Sequence, residues 1–115
     1  MALSHASSGQ PISLALAAGS LACAPSSALF KTAHLEVIRV VLPAGKAFPP
    51  HRVAGDITVQ CLSGAIAFTM GEDGEERRVQ LSAGELLYLK GGVRHGLRGL
   101  TDAVVLVSIV LHPHA

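Results

Sequence analysis

From Ala33 onward the chain alternates with a period of two. Leu35, Val37, Arg39 and Val41 interleave with His34, Glu36, Ile38, Val40 and Leu42, and the run stops at Pro43-Ala44-Gly45. Successive strand side chains point to opposite faces, so this run predicts a strand, and two largely apolar sets predict one held between two layers. Comparable runs predict strands at 57–62, 65–70, 77–81, 85–89, 96–100 and 104–111. Ser63-Gly64, Ser82-Ala83-Gly84 and Gly91-Gly92 supply turn chemistry between them, and Gly71-Glu72-Asp73-Gly74 reads as a solvated hairpin tip. No segment carries a helical stripe of useful length. Short strands with turns at this spacing point to an all-β sandwich or barrel.

The pattern is less regular before residue 33. Residues 1–10 are rich in Ser and lack periodicity, which predicts a mobile tail. Residues 11–32 are apolar without clear alternation and are expected to form an arm of strand and turn, packed on the barrel of residues 33–112 or on a partner subunit. Within the arm, Ile12 to Ala24 imitates the apolar core of an export signal. No Lys or Arg precedes Lys31, however, and the run is too short to span a bilayer. The expectation is a cytoplasmic chain with no membrane partner.

Composition narrows this picture. A chain of 115 residues suits one domain. Half of it is hydrophobic and only 3% aromatic, so the interior must be built from Val, Leu, Ile and Ala, with enough apolar surface left to suggest a homodimer face. The net charge of +1 is scattered, without a basic run, which argues against a nucleic-acid partner. Cys23 and Cys61 form neither a disulfide framework nor a zinc knuckle and read as free thiols in a reducing compartment.

Two glycine-and-histidine segments carry the chemistry. The first runs from Gly45 through Phe48-Pro49-Pro50-His51-Arg52-Val53 to Ile57 and closes on Gly64; the second runs from Gly84 through Tyr88 and Gly91-Gly92 to His95. In spacing they resemble the two signature motifs of the cupin family, with Gly45, His51, Gly64, Gly84, Gly92 and His95 at matching positions. The resemblance implies a small RmlC-like jelly-roll barrel, that is, a double-stranded β-helix with a short N-terminal arm, and a homodimer formed by strand exchange or face packing. It also implies where a metal would sit, because the family's usual pattern offers three histidines and a glutamate to one ion. Here Val53 stands at the second histidine position and Ile57 at the glutamate position, while Lys90 replaces a proline and Gly99 an asparagine.

Two imidazoles fall short of the three or more ligands that a catalytic divalent ion wants. Asp56 and Gln60 are nearby candidates for a third. Strand alternation points both away from the face of Ile57, unless a bulge near Gly55 re-aims one. The predicted pocket at the barrel mouth comprises His51, Val53, Ile57, Val59, Cys61, Tyr88, His95 and Leu97. Cys61 shares the inward parity of Ile57 and Val59 and reads first as an inert small hydrophobe, Tyr88 as a ring with a wet hydroxyl. Arg52, Arg94 and Arg98 are expected at the rim, either solvated or attracting an anion. His34 is placed in a strand or subunit face, and His5, His112 and His114 at the chain ends.

Three functions fit these residues. One is a binding or sensing module for a small, partly apolar molecule. Another is a metal-dependent oxygenase or isomerase, with His51 and His95 holding Zn, Fe, Mn or Ni and Gln60, Asp56 or water completing the shell. The third is a structural or regulatory dimer.

Overall fold

In the computed structural model, residues 5–15 and 26–111 are described, and they build nine strands and no helix. These are β1 (Ser27–Lys31), β2 (Leu35–Leu42), β3 (Ala47–His51), β4 (Ile57–Ser63), β5 (Ala65–Met70), β6 (Arg77–Ser82), β7 (Leu86–Leu89), β8 (His95–Gly99) and β9 (Ala103–Val110). All pairings are antiparallel. One sheet has the order β1-β2-β9-β4-β7 and the other β3-β8-β5-β6. This is the all-β jelly-roll architecture that the alternation and the motifs predict.

Alternation along β4 shows why the sheets close on each other. Ile57, Val59 and Cys61 are 3%, 1% and 0% exposed, while Thr58, Gln60 and Leu62 between them are only half-buried. The inward set meets Ile66 and Phe68 of β5, Leu81 of β6, Leu97 of β8 and Val105 of β9 in one cluster. Removing each such side chain from water stabilises the fold by about 1.5–3 kcal/mol. The two layers are thereby held face to face.

Two departures from the sequence reading have local causes. β2 starts at Leu35 because Thr32 Oγ1 accepts hydrogen bonds from the N–H groups of both His34 and Leu35, each at 3.1 Å. That leaves His34 exposed in the β1–β2 turn, outside any strand. β3 is the second departure, a strand not anticipated because Pro49 and Pro50 break the pattern; it is tolerated at the edge of its sheet, where missing N–H groups cost least. Part of the arm is the strand β1, paired with β2 of the same chain.

Residues 5–15 run beside that strand. Ala6 N–H donates to Leu29 O at 2.9 Å, and Gln10 N–H closes a turn onto Ser7 O at 3.0 Å. Cys23, His112, His114 and most of the apolar stretch from residue 12 to 24 lie outside the described residues. No helix among the described residues is long and apolar enough to cross a membrane.

Candidate ligand cavity

Between the sheets lies a cavity of about 230 Å³. Its floor is the inward set of β4 and β9, with Ile57, Val59, Val107 and Ile109; Ile38 and Val40 of β2 form one side, and Phe48, Phe68 and Leu97 the other. Ser26, Val53 and the rings of His51 and His95 complete it. Ten of these thirteen lining residues are apolar, so any polar recognition falls to the remaining three.

The histidines meet because β3 and β8 are neighbours. His51 and His95 are direct cross-strand partners, and their ring centroids lie 4.6 Å apart at an interplanar angle of 54°. A regular strand would not allow this. Phe48 pairs with Leu97, three residues before His51, and strict alternation would send Phe48 and His51 to opposite faces. The register shifts between them, at Pro49-Pro50, and this bulge returns His51 to the face of Phe48.

Each ring is oriented by a backbone carbonyl two residues earlier. His51 Nδ1 lies 3.3 Å from Pro49 O, and His95 Nδ1 lies 3.0 Å from Val93 O. A carbonyl oxygen only accepts, so the neutral rings carry their proton on Nδ1 and keep Nε2 as a lone-pair acceptor. Neither Nε2 has a hydrogen-bond partner among the described residues. His95 is 5% exposed and stacks on Phe68 with centroids 5.7 Å apart, whereas His51 is exposed. Burial lowers the His95 pKa below the ordinary histidine value, helped by the neighbouring His51 and opposed by the Val93 carbonyl. At neutral pH His95 is therefore uncharged.

Above the rings, two ion pairs fold the β5–β6 turn toward the histidine strands. Arg52, next to His51, grips Glu72 through two contacts of 2.8 and 3.0 Å, and Arg94, next to His95, meets Asp73 at 2.8 Å. The Arg52 guanidinium holds the Glu72 carboxyl below its ordinary range, and Glu72 raises the Arg52 pKa in turn. Two of the three rim arginines are thus engaged by carboxylates; Arg98 is exposed on the outer face of its strand. The connection beneath this rim is close-packed. A Cβ on Gly91 would collide with the carbonyl oxygen of Ala54, so that position tolerates only glycine without backbone movement.

Six of the eight residues predicted for the pocket line the cavity: His51, Val53, Ile57, Val59, His95 and Leu97. Two do not. Tyr88 pairs with Thr58, whose side chain faces away from the core, and is 62% exposed on the outer surface of the five-stranded sheet. Cys61 faces inward but lies beyond the cavity lining; it is buried and free, its thiol faces Ser63 O and Gly64 O at 3.4 Å each, and burial raises its pKa. Sequence reasoning missed Phe48, Phe68, Ile38, Val40, Val107, Ile109 and Ser26 as lining. Phe48 was hidden by the bulge that returns it to the face of His51, and the others depend on sheet order.

The described donor set stops at two imidazoles, short of the three or more ligands of a catalytic divalent ion. Among the described residues no group of three or more His, Cys, Asp or Glu side chains converges. Asp56 Oδ1 instead accepts a 2.8 Å hydrogen bond from Gly91 N–H, and Gln60 sits between Leu86 and Leu106 on the outer face. The register shift of β3 lies at Pro49-Pro50, where it serves His51 rather than either of these.

Comparison with known proteins places the chain. A conserved Streptococcus pyogenes protein of unknown function has 21% identity and a TM-score of 0.70, covering 100% of this chain and 97% of its own. A cupin superfamily protein of Desulfitobacterium hafniense has 16% identity and a TM-score of 0.69, with 76% of each chain covered. A Bacillus subtilis oxalate decarboxylase, described with Mn(II) centres, matches at 17% identity and a TM-score of 0.65 over 73% of this chain but only 23% of its own. Identities this low establish the fold alone. No protein with a curated description matches. The model of the cupin domain, however, matches residues 38–111, which hold both histidines, the bulged strand and the cavity floor: the chain belongs to the cupin family.

Proposed function

We propose that the barrel is a binding or sensing module for a small, partly apolar molecule held between its sheets. The observation that carries this reading is the cavity itself: ten apolar residues line it, together with two imidazoles whose Nε2 atoms have no partner among the described residues. Its volume of about 230 Å³ lies below the range of roughly 300–1,000 Å³ that drug-sized ligands occupy, which favours a compact molecule. A metabolite screen read by thermal shift tests it. At a hundredfold excess over Kd a ligand stabilises the folded state by about 2.7 kcal/mol, and Val107→Phe, which fills the cavity, should abolish that shift. Absence of stabilisation by any member of a broad panel would remove the reading.

A metal-dependent oxygenase or isomerase is the second reading, favoured by the closeness of the two rings and by the Mn(II) centres described for the oxalate decarboxylase of similar fold. Elemental analysis of untagged protein decides it. Stoichiometric Zn, Fe, Mn or Ni that disappears in both His51→Ala and His95→Ala would support a metal enzyme, and metal-free protein after reconstitution would rule against it.

We also infer self-association through the outer face of the five-stranded sheet. Leu86 and Tyr88 are 64% and 62% exposed there, and β4, β7 and β9 contribute no charged side chain. A two-fold contact sets the same patch against itself, and a charge-free patch does so without like-charge repulsion. Light scattering should give a dimer for the native chain and a monomer for Leu86→Glu combined with Tyr88→Glu. A monomeric native chain would refute this contact.

A further inference from the structure

The two histidines restrict what the cavity accepts, and this step rests on the binding reading above. Each Nδ1 proton is committed to a carbonyl, so each ring offers the cavity an acceptor and no donor while it is neutral. The cation nearest each histidine in sequence is engaged elsewhere, Arg52 by Glu72 and Arg94 by Asp73. Among the described residues no Lys or Arg lines the cavity, and the groups facing His95 from β2, β4, β5 and β9 are apolar, leaving His51 on β3 as its one titratable neighbour there. A carboxylate entering this space would lose its hydration, find no cation and face lone pairs. A pure hydrocarbon would leave Nε2 of the buried His95 without a partner.

We propose that the cavity selects a neutral ligand whose apolar body ends in a single hydrogen-bond donor, such as an alcohol, a phenol or an amide N–H, accepted at Nε2 of His95 with Nε2 of His51 as the second acceptor at the mouth. The donor end sits toward β3 and β8, where the rings are, and the apolar end rests on Ile57, Val59 and Val107. Ser26 Oγ, which already receives Val41 N–H at 2.8 Å, keeps one lone pair and its own proton and is the one other polar side chain of the lining.

Phenol, toluene and benzoate share one ring and differ at one substituent, which makes them the probes. Titration at pH 8, followed by NMR shifts of the valine and isoleucine methyls lining the cavity, should rank phenol about tenfold ahead of toluene, the worth of one hydrogen bond, and further ahead of benzoate. His95→Leu keeps the cavity apolar and should bring phenol and toluene to near equality while toluene still binds. His51→Leu, at an exposed position less sensitive for folding, should narrow the same ratio by a smaller factor. Benzoate binding as well as phenol, or a phenol-to-toluene ratio unchanged in both variants, would overturn the selectivity and leave the cavity's binding role intact. Failure of all three probes to shift any cavity resonance would overturn both.

Discussion

β8 and β3 carry one histidine each, yet the two strands live in different solvents. β8 lies inside its sheet between β3 and β5, and its His95 is buried against Phe68; β3 is an edge strand paired on one side only, and its His51 is exposed. The same residue type, bound through the same ring nitrogen to a carbonyl two residues earlier, therefore does two jobs. His95 belongs to the core and contributes an acceptor of fixed direction. His51 reaches the cavity by a bulge and has few packing partners. The comparison teaches that one wall of the cavity is built by folding and the other is laid onto it.

Phenylalanine truncation would sharpen this contrast most. Phe68→Ala removes a fully buried ring and should cost about 3–5 kcal/mol by urea unfolding, whereas Phe48→Ala, at the half-buried residue of an otherwise exposed β3, should cost less than about half of that. Equal losses would mean that the two walls are equally integral. Next in size, His95→Ala leaves the Val93 carbonyl without its partner and should cost about 1–3 kcal/mol, against a change within about 0.5 kcal/mol for His51→Ala.

Acid should weaken the molecule through His95. Its folded pKa lies below the ordinary value of about 6.5, so between the two the unfolded chain binds more protons and stability falls as pH drops through that window. Unfolding midpoints from pH 8 to 5 should fall less steeply for His95→Leu than for the native chain, with His51→Ala intermediate because its charge contributes to the lowering. Identical slopes in all three would remove the electrostatic part of the contrast. Smallest of all, Arg52→Ala should leave the midpoint unmoved and indifferent to salt, since its pair with Glu72 is exposed. A large loss there would show that the ion pair, rather than β8, holds β3 in place.

Much of the barrel was legible because strand parity is a local property. Alternation alone puts Ile57, Val59 and Cys61 inward and Asp56 and Gln60 away, and the chain folds that way. Positive φ at Gly45, Gly64, Gly84 and Gly92 follows from the turns they were read to make. Tyr88 could not be placed so simply: its face depends on the register of β7 against β4, set by contacts thirty residues away in sequence. Cys61 has the right parity but stands two residues beyond Val59, roughly 7 Å further along the strand, which periodicity does not weigh. β3 was hidden because its proline pair erases the strand signal at the point where the bulge aims His51. The ion pairs at the mouth join residues about twenty apart, and only the folded hairpin brings them together.

Pro49 and Pro50 have one more consequence. An edge strand normally presents a row of free N–H groups that a strand from another molecule can add to, the first step of sheet-to-sheet aggregation. Two successive residues of β3 have no such hydrogen to offer. The pair of prolines that turns a histidine toward the cavity also makes that edge a poor template for further strands, protecting an open-sided cavity wall from becoming a site of fibre growth.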